Sequence, residues 1–347
     1  MRFVSVLTLT VLAAIAAPLL RAEEEKPAPS GFQDIIPKQI QAVDKALEWL
    51  AKSQGGDGSW GNEGSGGSYR MAMTGLAGLA FLSGGHTPGR GKYGRNIERA
   101  MKYVMKNQQR NDGLITSADE GQTMYGHGFA TTFLAECYGM DPTGEKAEEI
   151  KKRLTEAVKL IAKSQSTLGG WYYSPNSGSD EGSVTITQVQ ALRACANNGI
   201  PVPKKTMENA LKYIHKSQND DGGVRYQANG GGSSSLALSA AGAELLLMAG
   251  QYDAKETKKV VEYLKRNLNP NATQGYHDFY TNFYGAQAMH QIGAKDWERY
   301  YTAIRQRLIT SQAGNGSWSG DVGSTYCTAI GAMILSQPYD YIPIFQK

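Results

Sequence analysis

This sequence has few cysteines, a small net charge and few long apolar runs. The 347 residues include three cysteines and carry a formal net charge of +4. Three cysteines cannot all pair within one chain, and a charge so near neutral does not favour a nucleic acid or an acidic membrane as a partner. After the N-terminus, no segment is apolar for the roughly 18 residues that a membrane-spanning helix needs. The sequence therefore speaks against a disulfide framework, an electrostatic nucleic-acid binder and a permanent membrane span.

The N-terminus has the pattern of a secretory signal. Arg2 precedes an apolar run from Phe3 to Leu20, and the small residue Ala22 comes before three glutamates. This pattern predicts a signal peptide over residues 1–22 and export to the periplasm, the cell envelope or the extracellular space. Residues 23–34, rich in proline and acidic residues, are predicted to be a flexible leader. Residues 35–347 are then expected to form a single domain.

One phrase recurs along the remaining chain. An amphipathic segment ends in glutamine, a glycine-rich turn follows, and a second segment rich in small residues comes next. The phrase from Ala46 to Gln54 is the clearest copy, and a degenerate copy carries Leu268 where the glutamine is expected. The other copies end at Gln108, Gln165, Gln218 and Gln312. Repeats of this length predict a structure built from six similar units that share one core.

The two segments of each unit predict two kinds of helix. From Ile150 to Ile161, apolar residues recur at spacings of three and four with charged residues between them, which is typical of a helix with one side in water. From Ala72 to Phe81, small and apolar residues follow one another without charge, which predicts a helix buried on all sides. We therefore predict an all-α fold, an α/α toroid with six helix pairs in two concentric rings. Short links bring every inner helix in at the same end.

The turn between the two helices has its own chemistry. In the segment from Gln54 to Trp60, glycines supply left-handed backbone angles and Asp57 bonds local N–H groups. Gln54 is expected to bond carbonyl groups left free at the helix end. Trp60, and its equivalents Trp171 and Trp318, are expected to fasten each unit to the next.

Cys137, Cys195 and Cys327 lie in apolar, helix-like contexts, so we expect small buried thiols. A disulfide between Cys137 and Cys195 is the alternative, because the two residues hold equivalent places in successive units. Neighbouring helix axes lie about 8–10 Å apart, whereas bridged α-carbons lie about 4.4–6.8 Å apart. The sequence therefore favours free cysteines.

The turn sequences Gln-x-x-Asp-Gly-Ser-Trp, ending at Trp60, and Gln-x-x-Asn-Gly-Ser-Trp, ending at Trp318, resemble the QW motif of the squalene–hopene cyclase and protein prenyltransferase superfamily. The resemblance covers nearly all of residues 38–338. It implies the α/α toroid argued above. It does not imply an activity, because the motif is structural and function lies in the site.

The catalytic signatures of that superfamily are missing here. The Asp-x-Asp-Asp acid motif of the cyclases aligns best with the segment from Glu181 to Val184, which keeps one acid. Where a prenyltransferase has its zinc-binding histidine, this chain has Thr281, and the segment from Gly231 to Ser235 lacks the Asp-x-Cys pair. The sequence therefore predicts no zinc, no other metal and no cofactor.

If all inner helices enter at one end, their first residues meet at one mouth of the barrel. Aromatic and polar residues reach this mouth, and we expect six of them to bind a ligand: Tyr69, Tyr125, His277, Tyr280, Asn282 and Tyr326. Glu181 and Asp278 are candidate acids and His127 a candidate base. For His127 and His277 the alternative is a capping or tyrosine-bonded side chain.

The sequence leaves two classes of function open. The first is an exported toroid that binds an apolar or isoprenoid-like molecule, or a protein partner, at the mouth. The second is an enzyme with altered chemistry, either a cyclase-like isomerase or a carbohydrate-active toroid that uses Glu181 and Asp278. Sugar cleavage would need these two carboxyls about 5–5.5 Å or 6.5–9.5 Å apart.

Overall fold

The computed structural model describes residues 34–61, 68–109 and 111–346. The predicted signal peptide and residues 23–33 of the leader lie outside the described residues. From Asp34 onward the chain forms one compact unit. No other observation tests the single domain predicted over residues 35–347, which stays a prediction.

The described residues contain twelve α-helices, which alternate along the chain between an outer and an inner position. Isolated β-bridges, such as the one between Trp171 and Glu181, are the other backbone pairings in this part of the chain. The outer helices are α1 (Pro37–Ser53), α3 (Gly94–Lys106), α5 (Ala147–Lys163), α7 (Lys204–Ser217), α9 (Lys255–Asn267) and α11 (Ala294–Ser311). The inner helices are α2 (Arg70–Ser83), α4 (Thr123–Met140), α6 (Gly182–Asn197), α8 (Leu236–Met248), α10 (Asp278–Ile292) and α12 (Ser324–Ser336).

The inner helices form a closed ring. Each packs against the next in chain order, and α12 packs against α2. The outer helices lie around them, and α1 contacts both α11 and α12, so the outer layer also joins its last member to its first. The predicted all-α toroid of six helix pairs is confirmed.

Small residues allow the inner helices to lie close together. In α2, a β-carbon added at Gly75 would lie 2.7 Å from the backbone of Phe129, and one added at Gly78 would lie 2.4 Å from the Phe133 ring. Real β-carbons do not approach other atoms so closely. The uncharged, glycine-rich sequence of this helix is therefore a consequence of close packing against α4.

The glutamine of each complete turn fastens its unit to the next. The Nε2 group of Gln54 donates to the carbonyl oxygen of Gly58 at 2.9 Å and to that of Asn96, in α3, at 3.0 Å. The same pair of bonds recurs at Gln108, Gln165, Gln218 and Gln312, which reach Arg153, Thr206, Glu256 and Ala42. Since Ala42 belongs to α1, the last of these bonds closes the ring.

The tryptophans do not make this link. Trp60 Nε1 donates to the carbonyl oxygen of Leu50 at 2.8 Å, at the end of the outer helix of the same unit. Trp171 and Trp318 bond the equivalent carbonyls, those of Ile161 and Leu308. The prediction is therefore corrected: the indole caps its own outer helix, and the glutamine joins neighbouring units.

Glycine is required where the turn meets the next outer helix. Gly58 has φ of +96°, and a β-carbon there would lie 2.5 Å from the carbonyl oxygen of Arg99. Gly316 repeats the arrangement, with φ of +94° and 2.4 Å to the carbonyl oxygen of Lys45. Both the backbone angle and the lack of space exclude a side chain.

After α12 the chain covers the end of the barrel opposite the mouth. Two short 3₁₀ helices follow, Gln337–Tyr339 and Pro343–Phe345, and the second packs against α6. Ile344 and Phe345 are buried there. The chain after α12 thus covers part of this end of the barrel.

The three cysteines are free and buried, as predicted. None of the helices in the described ranges is long and apolar enough to cross a membrane.

Candidate functional site

The mouth of the barrel holds a cavity of about 690 Å³. Its rim comes from the first residues of the inner helices and from the loops before them, and includes Tyr69, Tyr125, Tyr226 and His277. Farther along the inner helices, the wall consists of small and apolar side chains, namely Ala72, Met73, Leu76, Phe129, Ala237, Leu238 and Cys327. The cavity therefore combines a polar, aromatic entrance with an apolar interior.

Tyrosines bridge the first four units around the rim. The Tyr69 hydroxyl donates to Gln122 Oε1 at 2.6 Å, and the hydroxyls of Tyr125 and Ser183 lie 2.5 Å apart. The hydroxyls of Tyr173 and Tyr226 are bonded to each other in the same way.

The rings of this set also meet. The centroids of Tyr69 and Tyr125 are 6.1 Å apart, and those of Tyr125 and Tyr173 are 5.8 Å apart. Burial raises the pKa of Tyr125 far above its ordinary value, so its phenol stays neutral. Hydrogen bonds and ring contacts thus give this side of the mouth a fixed aromatic surface.

Units 5 and 6 form the other side of the mouth. His277 is exposed there, and its ring lies 6.5 Å from that of Tyr280. Tyr280 and Tyr326 both line the cavity. The Tyr280 hydroxyl is buried and has no hydrogen-bond partner among the described residues.

Asp278 lines the cavity and forms an ion pair with Arg307. Its carboxylate lies 3.0 Å from Arg307 Nη1, and it also accepts bonds from the Asn282 side chain at 2.9 Å and the Gln274 backbone N–H at 2.8 Å. Asn282 itself does not line the cavity, because its side chain is held between Asp278 and Tyr300. The acid predicted at this position is present but is neutralised by Arg307.

Glu181 lies behind the cavity wall, where it caps α6. Its carboxylate accepts bonds from the backbone N–H groups of Ser183 at 2.8 Å and Val184 at 2.5 Å, and from the Ser183 hydroxyl. The side chain is fully buried and does not line the cavity. Burial raises the pKa of Glu181, although these hydrogen bonds act in the opposite direction. Ser183 itself lines the cavity, and its hydroxyl connects the carboxyl to Tyr125.

His127 belongs to the scaffold. It is fully buried, its Nδ1 accepts the Ile115 N–H at 3.0 Å, and its Nε2 lies 3.4 Å from the Ala157 carbonyl oxygen. Burial lowers the pKa of His127 to about 4, so the ring is neutral at pH 7. In other units the same turn N–H bonds a hydroxyl, as when the Trp60 N–H donates to Thr74. Equivalent acceptors are Thr185, Ser239 and Thr328.

Glu120 has a comparable structural role. Its carboxylate accepts the Met71 N–H at 2.7 Å and the Ala72 N–H at 3.3 Å, and thereby caps α2 from the neighbouring unit. Burial raises the pKa of this carboxyl. A buried acid thus caps the N-terminus of α2, and another caps that of α6. This explains why acids accumulate near the mouth.

Sequence reasoning missed Arg307, although a signal for it exists. Arg307 stands five residues before Gln312. At the same place the other units carry a large apolar or aromatic residue, namely Trp49, Tyr103, Leu160, Tyr213 and Tyr263. Arg307 is the one charged residue at this position of the repeat. An alignment of the repeats against one another would have singled out this arginine.

The described part of the chain holds no group of three His, Cys, Asp or Glu side chains placed to bind a metal ion. Among the acids of the mouth, Glu120 and Glu181 cap helices and Asp278 is paired with Arg307, whereas Asp321 is exposed in the lining.

Comparison with known proteins finds similarity in sequence and in structure. No family model matches the chain. Drimenyl diphosphate synthase from Streptomyces showdoensis is 27% identical over 187 residues, which are 53% of this chain and 32% of that enzyme. The match therefore spans about a third of the relative's length.

Among solved structures, the type II terpene cyclase MstE from Scytonema gives a TM-score of 0.60 at 14% identity, covering 88% of this chain and 99% of that chain. A variant of MstE has been solved with its substrate, geranylgeranyl dihydroxybenzoate. The alpha-1,6-mannanase GH76A of Salegentibacter sp. HEL1_6 gives a TM-score of 0.65 at 8% identity, covering 86% and 98%. The chain therefore has an α/α toroid fold, which the cyclase MstE and this mannanase share.

Proposed function

We propose that this toroid binds an apolar, isoprenoid-like molecule in the cavity at its mouth. The observation that carries the proposal is the cavity of about 690 Å³, with an apolar wall and a tyrosine-lined rim. Pockets for small molecules measure about 300–1,000 Å³ and are mostly apolar with a few placed polar groups. A hydrocarbon tail would lie among Ala72, Leu76 and Leu238, and a polar end would remain at the rim.

The state of the acids favours binding over catalysis. Protonation of an alkene requires an acid in contact with the substrate. Glu181 is buried behind the wall with its carboxylate bonded to a helix N-terminus, and Asp278 is paired with Arg307. A bound molecule would therefore meet phenols, apolar side chains and the paired Asp278, and Glu181 would stay behind the wall. The apolar substrate of MstE supports this choice of ligand at the level of the shared fold.

Binding can be tested with farnesol, a neutral isoprenoid alcohol, by displacement of the neutral fluorophore Nile red and by native mass spectrometry. We expect a one-to-one complex. Ala237→Phe places a ring in the cavity wall and is expected to weaken binding at least about tenfold, because the ring takes the space of the ligand. Ala196→Phe, at an exposed site near the end of α6, is the matched control. Binding that is absent, or that is equal in both variants, would refute the proposal.

An enzyme with altered chemistry is the second candidate. The hydrogen-bonded path from Glu181 through Ser183 to Tyr125 favours it, because this path connects a buried carboxyl to the cavity. Product analysis by gas chromatography after incubation with farnesol would test a cyclase-like isomerase. Turnover that Glu181→Gln abolishes would support this candidate, and turnover unchanged in that variant would remove Glu181 from it. The carbohydrate-active version needs Glu181 and Asp278 to act together on one sugar, and it stays a prediction.

Export and docking of a protein partner at the mouth are proposals as well. Export predicts that the mature chain begins after Ala22, which N-terminal sequencing of protein from fractionated cells would check. If farnesol does not bind, a protein partner at the rim becomes the preferred function. Crosslinking from a photoreactive residue placed at exposed Tyr276 would test it.

A further inference from the structure

Arg307 enters the mouth of the cavity with only part of its hydrogen-bonding capacity used. Its Nη1 group donates to the Asp278 carboxylate at 3.0 and 3.1 Å and to the Ala272 carbonyl oxygen at 3.0 Å. Nη2 has no partner within the described residues, and Nε is buried without one. Leaving buried donors unbonded is costly, so the unused side of the guanidinium is an unexplained feature of the lining.

The toroid does not need an arginine here. The equivalent residues of the other units are apolar or aromatic, and three of them are Tyr103, Tyr213 and Tyr263. Tyr213 lies against the turn of the preceding unit, where its ring would contact a β-carbon added at Gly170. A tyrosine therefore fills this place in the scaffold, and the charge at Arg307 serves something other than packing.

Asp278 holds Arg307 in one orientation. Nη1 makes all three of the hydrogen bonds to the protein, and Nε is buried, so Nη2 is the group that can offer a charge-assisted hydrogen bond to a ligand in the cavity. The ion pair is largely buried, with 18% of the Arg307 side chain and 15% of the Asp278 side chain exposed. Little reorganisation would be needed to receive an anion on the unused side.

The charges of the lining limit what kind of anion fits. Arg307 and Asp278 cancel, and the exposed Asp321 adds a negative charge to the same lining. Each further negative charge on the ligand would add repulsion from Asp278 and Asp321, so a single carboxylate is favoured over a group with several negative charges. The apolar wall beyond the rim would then take the hydrocarbon part of the same molecule.

We propose that the ligand of the mouth cavity is an isoprenoid or similar apolar acid with one carboxylate, which Arg307 binds through Nη2. This inference rests on the proposed function and specifies the class of ligand. Arg307 is a binding residue, and Asp278 positions it.

The test compares three probes with the same C15 chain, namely farnesoic acid, farnesol and farnesyl diphosphate, by Nile red displacement at pH 7.5. We expect the acid to bind about tenfold to hundredfold more tightly than the alcohol, which is the range that charge-assisted hydrogen bonds supply. The diphosphate is expected to bind less tightly than the acid.

Two variants and a control assign the preference to Arg307. Arg307→Tyr introduces the residue that other units carry, so the fold is expected to tolerate it. Combined with Asp278→Asn, which removes the unbalanced acid, it is expected to abolish the preference for the acid, measured as the ratio of the farnesoic acid and farnesol affinities of the same variant. Arg299→Met, which removes an exposed arginine from the same helix, is expected to change neither affinity.

The outcomes separate the two proposals. Equal binding of acid and alcohol by the unsubstituted protein overturns the inference and leaves the proposed function standing. A preference that survives in the double variant also overturns it, and so does tightest binding of the diphosphate. If no probe binds, the proposed function and the inference fall together. The comparison within the unsubstituted protein decides the matter even if a variant does not fold.

Discussion

Glu136→Gln is expected to flatten the pH dependence of stability by about 1.4 kcal/mol per pH unit between pH 5 and pH 7. Glu136 lies on α4 and is 1% exposed. Neither of its carboxylate oxygens has a hydrogen-bond partner within the described residues. Burial raises the pKa of Glu136 from 4.5 to about 8, and the nearby Ile344 backbone N–H offsets only part of that effect.

The sign follows from the difference between the two states. In the unfolded chain the carboxyl loses its proton as the pH rises through about 4.5, whereas in the folded chain it keeps the proton until about 8. The contribution of Glu136 to the free energy of unfolding is therefore complete below the pKa that the group has in the unfolded chain. It is lost as the pH rises toward the pKa that the group has in the folded chain. From pH 5 to pH 7 this single group removes up to about 3 kcal/mol, which is a large share of a typical folding free energy. Glutamine has no proton to lose and removes the slope.

Urea unfolding followed by circular dichroism at pH 5, 6 and 7 measures this effect. The free energy of unfolding of the unsubstituted protein should fall over this range more steeply than that of Glu136→Gln. Glu145→Gln, on the surface, is the matched control. Glu244→Gln offers a second comparison, because burial raises the pKa of Glu244 to about 8 as well, but Gln291 donates to both of its oxygens. Equal slopes in Glu136→Gln and the unsubstituted protein would refute the reasoning.

Three further predictions concern the scaffold and are read out by urea unfolding at pH 7. Gln312→Ala removes the side-chain hydrogen bonds to Gly316 and Ala42 that close the ring, and should lower the free energy of unfolding by about 1–3 kcal/mol. A loss equal to that of a surface Gln→Ala variant would contradict this role. Gly58→Ala should cost more than about 1 kcal/mol, because φ is +96° and the added carbon meets the next outer helix; an unchanged midpoint would show that the turn can move away. His127→Thr should be tolerated better than His127→Leu by about 1–3 kcal/mol, because threonine accepts the turn N–H in other units; equal losses would show that the acceptor is unimportant.

Much of the candidate site was predictable, because the sequence shows both the type of each residue and its place in the repeat. Tyr69, Tyr125, His277, Tyr280 and Tyr326 were chosen as aromatic or polar residues at the start of inner helices, and the structure places all of them in the cavity lining. Their roles in binding remain predictions. The residues share this location because the six turns of the repeat all lie at one end of the barrel.

The hydrogen-bond partners of individual side chains could not be predicted in the same way. Glu181, Asn282 and His127 fit the pattern of the mouth equally well, yet their side chains satisfy helix ends and turns rather than facing the cavity. Asp278 lines the cavity, but Arg307, 29 residues later in the chain, neutralises it. The pairing of Asp278 with Arg307 depends on which loop lies against which helix, and local sequence does not specify this.

The sequence by itself determined the helices, their alternation between half-buried and fully buried types, and the repeat that makes six of each close into a ring. It could do so because helix periodicity, glycine turns and small-residue packing are local properties. The tertiary structure alone decided which acids are caps, which is an ion pair, and which side of Arg307 is left without a partner. Those states depend on burial and on partners far apart in sequence, because the free energy of a buried charge or donor is set by its surroundings rather than by its neighbours in the chain.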